Sequence, residues 1–382
     1  MSEVPLTIAL VGPLPPPAGG MANQTRQLAE LLTGEGVTVR MIQTQPPYRP
    51  AWVSGFPVLR ALCRLVPYLY ALWRGCRGAQ VVHIMANSGW SWHLFAAPAV
   101  WIAKLRGVGV VLNYRGGEAE EFFAKSFRWV RPTLALVDEI IVPSDFLCEV
   151  FARRGLKCRV VPNIIDLERF TAPTSRIDAH QSLRLLVARN LEPLYDNETA
   201  IRAFKMVRHE VPTSTLTIAG TGPELERLTK IVAELGLTEG VKFVGQVENR
   251  NMPGLMQEAD IMINPSLADN MPISVLEAFA SGLPVVSTNV GGVPYLISNE
   301  QTGILVTPRN PIALSAAILR LHRDPVMRAR IVSAASDTAR NFSWAKVWPL
   351  LSAVYGGVAH FPDSHASSIQ GIKQRMEHED NH

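Results

Sequence analysis

The chain alternates short apolar runs with helical segments. This alternation is the sequence feature that excludes the most fold classes. Ten runs have the composition of buried strands, at 6–11, 37–42, 79–85, 108–113, 139–143, 183–188, 214–220, 241–245, 261–266 and 284–289. Amphipathic helical stretches separate them, two of the clearest being 90–106 and 224–235. Strands that are apolar throughout and separated by helices are typical of parallel sheets covered on both faces. The pattern predicts an α/β fold with doubly wound sheets.

The length of 382 residues exceeds what one hydrophobic core usually organises, so we expect two domains. We predict a Rossmann-like domain over 1–165, a polar, proline-containing connection over 166–182, and a second Rossmann-like domain over 183–343. A helix at 344–358 is expected to pack back on the body, and 359–382 has too few apolar residues to be ordered. Because parallel sheets bind ligands at the carboxyl ends of their strands, we expect the site in a cleft between the domains.

Composition and targeting signals favour a cytoplasmic enzyme. With 47% hydrophobic and 18% charged residues, the chain has the balance of a globular protein and lacks the ~20-residue apolar run of a membrane span. The first residues, MSEVPLTIAL, carry no basic stretch of the kind that opens a signal peptide. The four cysteines show neither metal-binding spacing nor a short pairing pattern, as expected in a reducing compartment.

The positive charge is concentrated in one part of the sequence. No Asp or Glu occurs between Val37 and Gly117, while nine Lys and Arg residues do, and the remaining residues carry a net charge of −5. Within this region, segment 51–77 is rich in arginine and aromatic residues. It is either a surface that touches an anionic membrane or an ordinary helix whose arginines snorkel around a buried face. No nucleic-acid-binding module accompanies it, so we expect no nucleic-acid partner.

The segment from Asn264 to Ile297 carries the strongest chemical signal. It reads as a polar turn, an apolar helix opened by Pro272 and stopped by Gly282, a strand, and a glycine pair. Asp269 and Glu277 are eight residues apart, which places both carboxylates near one face of the helix start. Free backbone N–H groups at a helix start bind anions. The residues expected to face a phosphate there are Asn270, Met271, Pro272, Ile273 and Ser274.

This segment resembles the Glu-x7-Glu motif of the retaining glycosyltransferases of family four, which have the GT-B fold. The resemblance spans most of the chain and is strongest from Leu183 to Leu305. It implies two Rossmann-like domains facing a central cleft. It also implies that Asp269 contacts the donor sugar and that Glu277 holds the ribose of the nucleotide. Asp in place of the usual first Glu shortens the arm by about one C–C bond.

Other positions match the same family, with two departures. Arg189 matches the arginine that neutralises the diphosphate, but the usual lysine is replaced within Leu194–Asn197. Arg115 stands where many relatives have a histidine, so it is expected to orient groups and stabilise charge, because Arg does not act as a base at neutral pH. Four glycines are expected to approach the nucleotide: Gly19 and Gly20 before the first long helix, and Gly220 and Gly245 in the second domain. For Gly19 and Gly20, the competing interpretation is a turn that needs an unusual φ.

The resemblance implies transfer of a hexose from a nucleotide diphosphate sugar to an acceptor hydroxyl, with retention of configuration. The expected catalytic residues are Asp269, Arg189 and Arg115, with no metal and no cofactor besides the donor itself. The acceptor is expected to be a glycan or lipid-linked glycan in surface polysaccharide or lipopolysaccharide assembly, which would place the enzyme peripherally at the inner face of the cell membrane. Two alternatives stay open: a GT-B nucleotide-sugar epimerase, and a catalytically weakened partner subunit that binds a nucleotide sugar. A dehydrogenase is disfavoured because the G-x-G-x-x-G fingerprint is absent.

Overall fold

A computed structural model describes residues 6–15, 19–45, 57–172 and 182–359, with the backbone alone for 57–63. The predicted tail from residue 360, part of the predicted connection (173–181) and the start of the basic segment (51–56) lie outside the described residues. The chain divides into two compact units. The first contains 1–143, 150–161 and 348–382, and the second contains 144–149 and 162–347. The domain ranges predicted from the sequence stay a prediction.

The first unit is built on a six-stranded parallel sheet with the strand order β2-β1-β3-β4-β5-β6. Its strands are β1 (Thr7–Gly12), β2 (Thr38–Gln43), β3 (Val81–Ala86), β4 (Gly109–Tyr114), β5 (Glu139–Val142) and β6 (Arg159–Val160). Every residue of β1, β3 and β4 is buried, as their continuous apolar sequence predicts.

Helices connect these strands. They are α1 (Gly20–Gly34), α2 (Pro57–Gly75), α3 (Ala97–Leu105), α4 (Ala119–Leu134), α5 (Asp145–Ala152) and, at the C-terminal end, α13 (Trp344–Val358). A π-helical turn at Trp92–Ala96 leads into α3, so the predicted helix 90–106 is interrupted in its first part. In the part of the chain described here, no helix is long and apolar enough to cross a membrane.

The second unit repeats this plan with a parallel sheet in the order β12-β11-β10-β7-β8-β9. Its strands are β7 (Arg184–Ala188), β8 (Thr215–Ala219), β9 (Val241–Gly245), β10 (Ile261–Asn264), β11 (Val285–Thr288) and β12 (Ile304–Val306). Its helices are α6 (Asn197–Glu210), α7 (Leu225–Glu234), α8 (Met252–Glu258), α9 (Ile273–Ala280), α10 (Val293–Leu296), α11 (Pro311–Arg323) and α12 (Pro325–Arg340). Short 3₁₀ turns occur at Pro193–Tyr195 and Asn249–Asn251. The predicted α/β class with two doubly wound sheets is confirmed.

One prediction from the cysteines is wrong. Cys148 and Cys158 are both disulfide-bonded, whereas their sequence spacing suggested no pairing. Cys148 lies on α5 and Cys158 directly precedes β6, and the chain turns back between these two elements. Cys76 is a buried free thiol.

His83 is a buried polar residue in the middle of β3 and helps to hold α13. Its Nδ1 lies 2.8 Å from the Tyr355 hydroxyl, and its Nε2 lies 3.1 Å from Nδ2 of Asn113 on β4. Burial, with the nearby positive charge of Arg115, lowers the pKa of His83 to about 3. The ring is therefore a neutral structural group and not a base.

We expect His83 to make the free energy of unfolding decrease as the pH falls. Its folded pKa lies below the unfolded value, so its contribution is complete above about pH 6.5 and is lost as the pH falls toward 3. The loss should reach about 1.4 kcal/mol per pH unit, because the unfolded state binds one more proton. Urea unfolding of the wild type and His83→Gln from pH 7 to 4 measures this slope. The exposed His209→Gln is the control, and an unchanged slope in His83→Gln contradicts the prediction.

Candidate functional site

The acid loop, residues 265–272, connects β10 to α9 and carries Asp269. Pro272 has extended geometry (φ −65°, ψ 115°) and caps the helix, so α9 begins at Ile273 and not at the proline. Glu277 lies one turn inside α9 on its buried side, with 7% of its surface exposed. Gly282, with φ 61°, follows the end of the helix. The predicted arrangement of one carboxylate before the helix and one inside it is therefore present.

The glycine pair Gly291–Gly292 holds the acid loop. The N–H of Gly292 donates to the carbonyl oxygen of Asp269 over 2.9 Å. A Cβ on Gly291, where φ is 51°, would collide with that same carbonyl, and one on Gly292 would collide with the carbonyl of Asn270. Only glycine allows this close approach of two backbones. The pair thus fixes the position of Asp269.

Arg189 reaches the acid loop from the carboxyl end of β7. Its Nη2 forms an ion pair with Asp269 Oδ2, and its Nε donates to Oδ1 of Asn264 over 2.8 Å. The two charged side chains are only 12% and 13% exposed. The guanidinium also lies over the Tyr195 ring, 5.1 Å from its centroid. The structure joins the two side chains directly to each other, and their predicted contacts with a donor stay a prediction.

A buried polar network supports this ion pair from below. Asn264 donates from Nδ2 to Ser287 Oγ over 2.9 Å, and Ser266 Oγ donates to Asn264 Oδ1 over 3.1 Å. Thr288 Oγ1 donates to the carbonyl oxygen of Ser266 over 2.6 Å. All four side chains are fully buried. They lie where β10 and β11 end side by side, so the sheet itself orients the amide that holds Arg189.

The start of α9 presents unused hydrogen-bond donors. Pro272 has no N–H, so the predicted row of donors is interrupted at that position. The amide of Asn270 donates to Asp269 Oδ1 over 3.0 Å, and the carbonyl of Met271 accepts from Nδ2 of Asn163 over 3.0 Å. Within the described ranges, the amides of Ile273 and Ser274 have no acceptor, and the buried Ser274 hydroxyl has no partner. These groups can bind an anion at the positive end of the helix.

Glu277 is an acid whose ionisation is opposed by its surroundings. Burial raises the pKa of its carboxyl to about 7, and the positive charges of Arg169 and Arg189 counteract part of this shift. Hydrogen-bond donors that favour a carboxylate would lower the pKa again. A ligand bearing hydroxyl groups can supply such donors. The side chain is thus suited to accept hydrogen bonds once a ligand is bound.

Gly220 uses its amide for a hydrogen bond to Gly245. The N–H of Gly220 donates to the carbonyl of Gly245 over 2.8 Å. A Cβ on Gly220 would collide with the carbonyl of Arg189, so this glycine lets two loops meet beneath the arginine. Gly245 has φ 70° and an open position where a Cβ would be. The predicted contact of both glycines with a nucleotide stays a prediction.

Three predicted residues belong to the first unit. Gly19 caps α1 and Gly20 is its first residue, and no described atom lies within 4 Å of where a Gly19 Cβ would be. Arg115 follows β4, and its Nη2 is buried without a partner among the described residues. Burial lowers the pKa of Arg115 to about 10, which leaves it charged at neutral pH. The roles of these residues toward a donor stay predictions.

Several supporting residues were missed from the sequence. Asn163 and Ser144 reach the acid loop, since Ser144 Oγ donates to Asn270 Oδ1, and Arg169 provides charge near Glu277. Asn163 follows β6 in a Pro-Asn pair, which is the one available signal because polar residues after strands often line sites. Ser144 follows β5 in the same way, in a Pro-Ser pair, whereas Arg169 carries no such signal.

Comparison with known proteins gives two family matches that together cover most of the chain. A model described as Glycosyltransferase Family 4 matches residues 18–169, and one described as Glycosyl transferases group 1 matches residues 176–338. Among curated proteins, the glycogen synthase of Mycobacterium tuberculosis is 28% identical over 275 residues, covering 69% of this chain and 66% of that protein. The D-inositol 3-phosphate glycosyltransferase of Salinispora tropica is 34% identical over 175 residues, covering 44% and 36%. The matches thus span less than two thirds of the length of these relatives.

A solved structure extends the likeness to the whole fold. The Anabaena protein HepE, in complex with UDP-glucose, is 19% identical and superposes with a TM-score of 0.72. The superposition covers 91% of this chain and 98% of HepE. The two proteins therefore share their fold.

We expect Arg189 and Asp269 to be strongly coupled in stability. Arg189→Ala leaves a buried carboxylate without its counter-charge, which should cost about 3–5 kcal/mol, whereas adding Asp269→Asn should recover part of that loss. A double-mutant cycle by urea unfolding should give a coupling energy of about 1–3 kcal/mol. The exposed pair Arg320–Glu300 is the matched control, and its two single losses should simply add, because solvent screens the pair. Additive losses at Arg189 and Asp269 would show that the pair does not interact.

The raised pKa of Glu277 predicts that the free energy of unfolding falls as the pH rises, whereas the lowered pKa of His83 predicts that it rises with pH. The folded value of about 7 lies above the unfolded one, so the wild type loses stability as the pH rises from about 4.5 through 7. Glu277→Gln removes the ionisation, and relative to the wild type it should gain about 3 kcal/mol between pH 4 and pH 8. Thermal and urea unfolding at the two pH values measure this gain. Glu300→Gln, at an exposed position, should show no such gain. If Glu277→Gln also shows no gain, the pKa of Glu277 is not raised.

Proposed function

Since the chain belongs to the glycosyltransferases of family four, which have the GT-B fold, we propose that it transfers a hexose from a nucleotide diphosphate sugar to an acceptor hydroxyl. The observation that carries the proposal is the joint placement of Arg189, Asp269 and the start of α9, with Glu277 one turn inside the helix. One cation, one helix start and two carboxylates match the charged and hydroxyl-bearing parts of such a donor. HepE, which was solved with UDP-glucose, supports a donor of this class.

The diphosphate is assigned to the start of α9. The amides of Ile273 and Ser274 and the Ser274 hydroxyl supply donors, and Arg189 supplies a full positive charge. As the bond between sugar and phosphate breaks, negative charge grows on the diphosphate, and oriented donors stabilise that charge without reorganising. We propose that these groups replace a divalent cation in this role.

Asp269 is assigned to the sugar. A phosphate that takes hydrogen bonds from Arg189 competes with Asp269 for the guanidinium, which leaves the carboxylate available to the sugar. The carboxylate then accepts from sugar hydroxyls and stabilises the positive charge that develops at the anomeric carbon. We propose that the acceptor hydroxyl attacks the anomeric carbon from the face that the diphosphate leaves and passes its proton to the departing phosphate oxygen, so the configuration is retained.

Glu277 is assigned to the ribose. Ribose hydroxyls that donate to its carboxylate replace the hydration that burial removes, and they favour the ionised form. Loss of one hydrogen bond to a charged group usually costs about 1.5–3 kcal/mol, or roughly ten- to a hundredfold in affinity. Glu277 therefore contributes to donor affinity more than to the rate of the chemical step.

The acceptor is proposed to be a glycan or lipid-linked glycan of surface polysaccharide or lipopolysaccharide assembly. The support is the family, together with the excess of basic residues in the first part of the chain. We propose a cytoplasmic enzyme that works at the inner face of the cell membrane and contacts it through the region around 51–77.

The experiment begins with the donor. A panel of nucleotide sugars is screened for thermal stabilisation, and the best donor is then titrated by calorimetry into the wild type, Glu277→Ala and the control Glu300→Ala. We expect ten- to a hundredfold weaker binding in Glu277→Ala alone. Transfer to an acceptor extract, followed by NMR of the anomeric proton, should show retention, and Asp269→Asn should bind the donor but lose transfer.

Any other outcome would point to a different function or a different site. Unchanged affinity in Glu277→Ala would mean that the nucleotide site is wrong. Conversion of the sugar without an acceptor would identify the epimerase. Donor binding with no transfer to any acceptor fraction would identify a partner subunit, and inversion at the anomeric carbon would overturn the proposed role of Asp269.

A further inference from the structure

Helix α2 carries apolar side chains on two opposite faces. Tyr68 and Leu72 are buried against the first unit, and the Tyr68 hydroxyl donates to the carbonyl of Phe95 over 2.7 Å. Val66, Tyr70 and Trp73 point outward and are exposed, with Tyr70 62% exposed. Positions 66, 70 and 73 follow the spacing of one helix face. A helix on the surface of a soluble protein normally has polar residues on its outward face, so this face is unusual.

The two neighbouring helices extend this apolar face. Trp101 and Leu105 are exposed one turn apart on α3, and Trp129 is exposed on α4; Leu105 and Trp129 are each 74% exposed. The Arg106 guanidinium lies 4.5 Å from the centroid of the Trp73 ring, which joins the end of α3 to α2. We call the six exposed residues the aromatic face: Val66, Tyr70, Trp73, Trp101, Leu105 and Trp129.

The junction between α3 and α4 is equally direct. Trp101 Nε1 donates to Thr133 Oγ1 over 3.1 Å, and Trp129 lies one helical turn before Thr133. Side chains one turn apart share a helix face. Trp101 and Trp129 therefore belong to one continuous surface, which crosses all three helices.

Arginines lie over the rings of the aromatic face, and the acid beside α3, Asp138, is paired with Lys104. Arg74 lies over the Tyr70 ring, Arg106 over Trp73, and Arg128 over Trp129, while Arg77 and Arg131 are exposed nearby. No acidic residue occurs in the sequence between Val37 and Gly117 or between Phe122 and Val137. Among the residues that the structure describes, Arg74, Arg77, Arg128 and Arg131 have no acidic partner. Their positive charge is thus available to an external anion.

We propose that the aromatic face docks onto an anionic lipid bilayer, with its tryptophan, tyrosine and leucine side chains in the headgroup region and its arginines on lipid phosphates. Amphipathic aromatic rings favour the boundary between water and hydrocarbon, and arginines near anionic lipid gain electrostatic energy. A second copy of the chain would bring like charges together, which disfavours self-association through this face. The inference extends the membrane contact of the proposed function from one segment to three helices, and it does not depend on sugar transfer.

Co-sedimentation with lipid vesicles tests this inference directly. The full chain is mixed with vesicles of phosphatidylcholine alone or of phosphatidylcholine with phosphatidylglycerol, at low and high salt. We expect binding to the anionic vesicles that weakens with salt, because screening shortens the reach of the charges. The double variant Arg74→Gln/Arg128→Gln should bind about 25-fold more weakly, from about fivefold per charge. Leu105→Ser/Trp129→Ser should bind at least about tenfold more weakly.

Matched variants in the second unit serve as controls. Ile312→Ser/Val326→Ser removes two similarly exposed apolar side chains, and Arg340→Gln removes an exposed charge. Both should bind vesicles like the wild type, and circular dichroism melts check that every variant is folded. Three results would overturn the inference. They are equal binding to neutral and anionic vesicles, wild-type binding by Leu105→Ser/Trp129→Ser (the aromatic variant), and equal losses in the controls. Absence of vesicle binding with capture of an acidic protein would also overturn it and identify a protein-docking face.

Nucleotide-sugar binding, measured on the same variants, separates the two proposals. Loss of vesicle binding in the aromatic variant with an unchanged donor affinity supports docking as a separate function of the first unit. Vesicle binding without any donor binding in the wild type would overturn the proposed transferase and leave the docking surface standing.

Discussion

The ion pair between Arg189 and Asp269 is the interaction on which the candidate site depends. Removing two charges from water costs more than their attraction returns unless further hydrogen bonds satisfy them. Here the Asn264 amide accepts from Arg189, the Asn270 amide N–H donates to Asp269, and the glycine pair fixes the carbonyl behind it. Each of these groups comes from the end of a parallel strand or from the loop after it. The sheet topology therefore supplies the geometry that makes a buried ion pair tolerable.

This arrangement also explains why Glu277 can remain buried one turn further along. Its carboxyl lies in the field of Arg169 and Arg189, which offsets part of the desolvation that raises its pKa. The second unit thus holds two carboxyl groups and two guanidinium groups near one helix start, and Glu277 is the carboxyl whose charge burial opposes. A dianionic ligand at that start changes the balance, because it attracts Arg189 and frees Asp269. Anion binding at the helix start and the availability of the Asp269 carboxylate are therefore linked by electrostatics.

The sequence located the elements better than the contacts between them. All ten predicted strands are present, and each observed end lies within two residues of the predicted one, because apolar runs between helices rarely form anything but strands. The strands β6 and β12 were not predicted, because they are too short to show a pattern. The spacing of Asp269 and Glu277 identified the helix start. It did not reveal that Asp269 pairs with Arg189, since motif spacing gives a face but not a partner 80 residues away. The extension of the basic segment onto α3 and α4 was missed for the same reason, because it depends on how distant segments pack.

At Leu194–Asn197, where the chain departs from the family pattern, an aromatic ring takes the place of the expected lysine. Where the resemblance implies a lysine, Tyr195 places its ring against the Arg189 guanidinium. A phenol adds no charge for the diphosphate, but an aromatic face favours a planar cation and restricts its rotamers. The site thus keeps one well-oriented cation in place of two. In the proposed transferase, Arg189 and the helix start carry the charge stabilisation that the resemblance divides between an arginine and a lysine. Lysine at position 189 would not substitute, because it lacks the planar fork that binds Asn264 and Asp269 together.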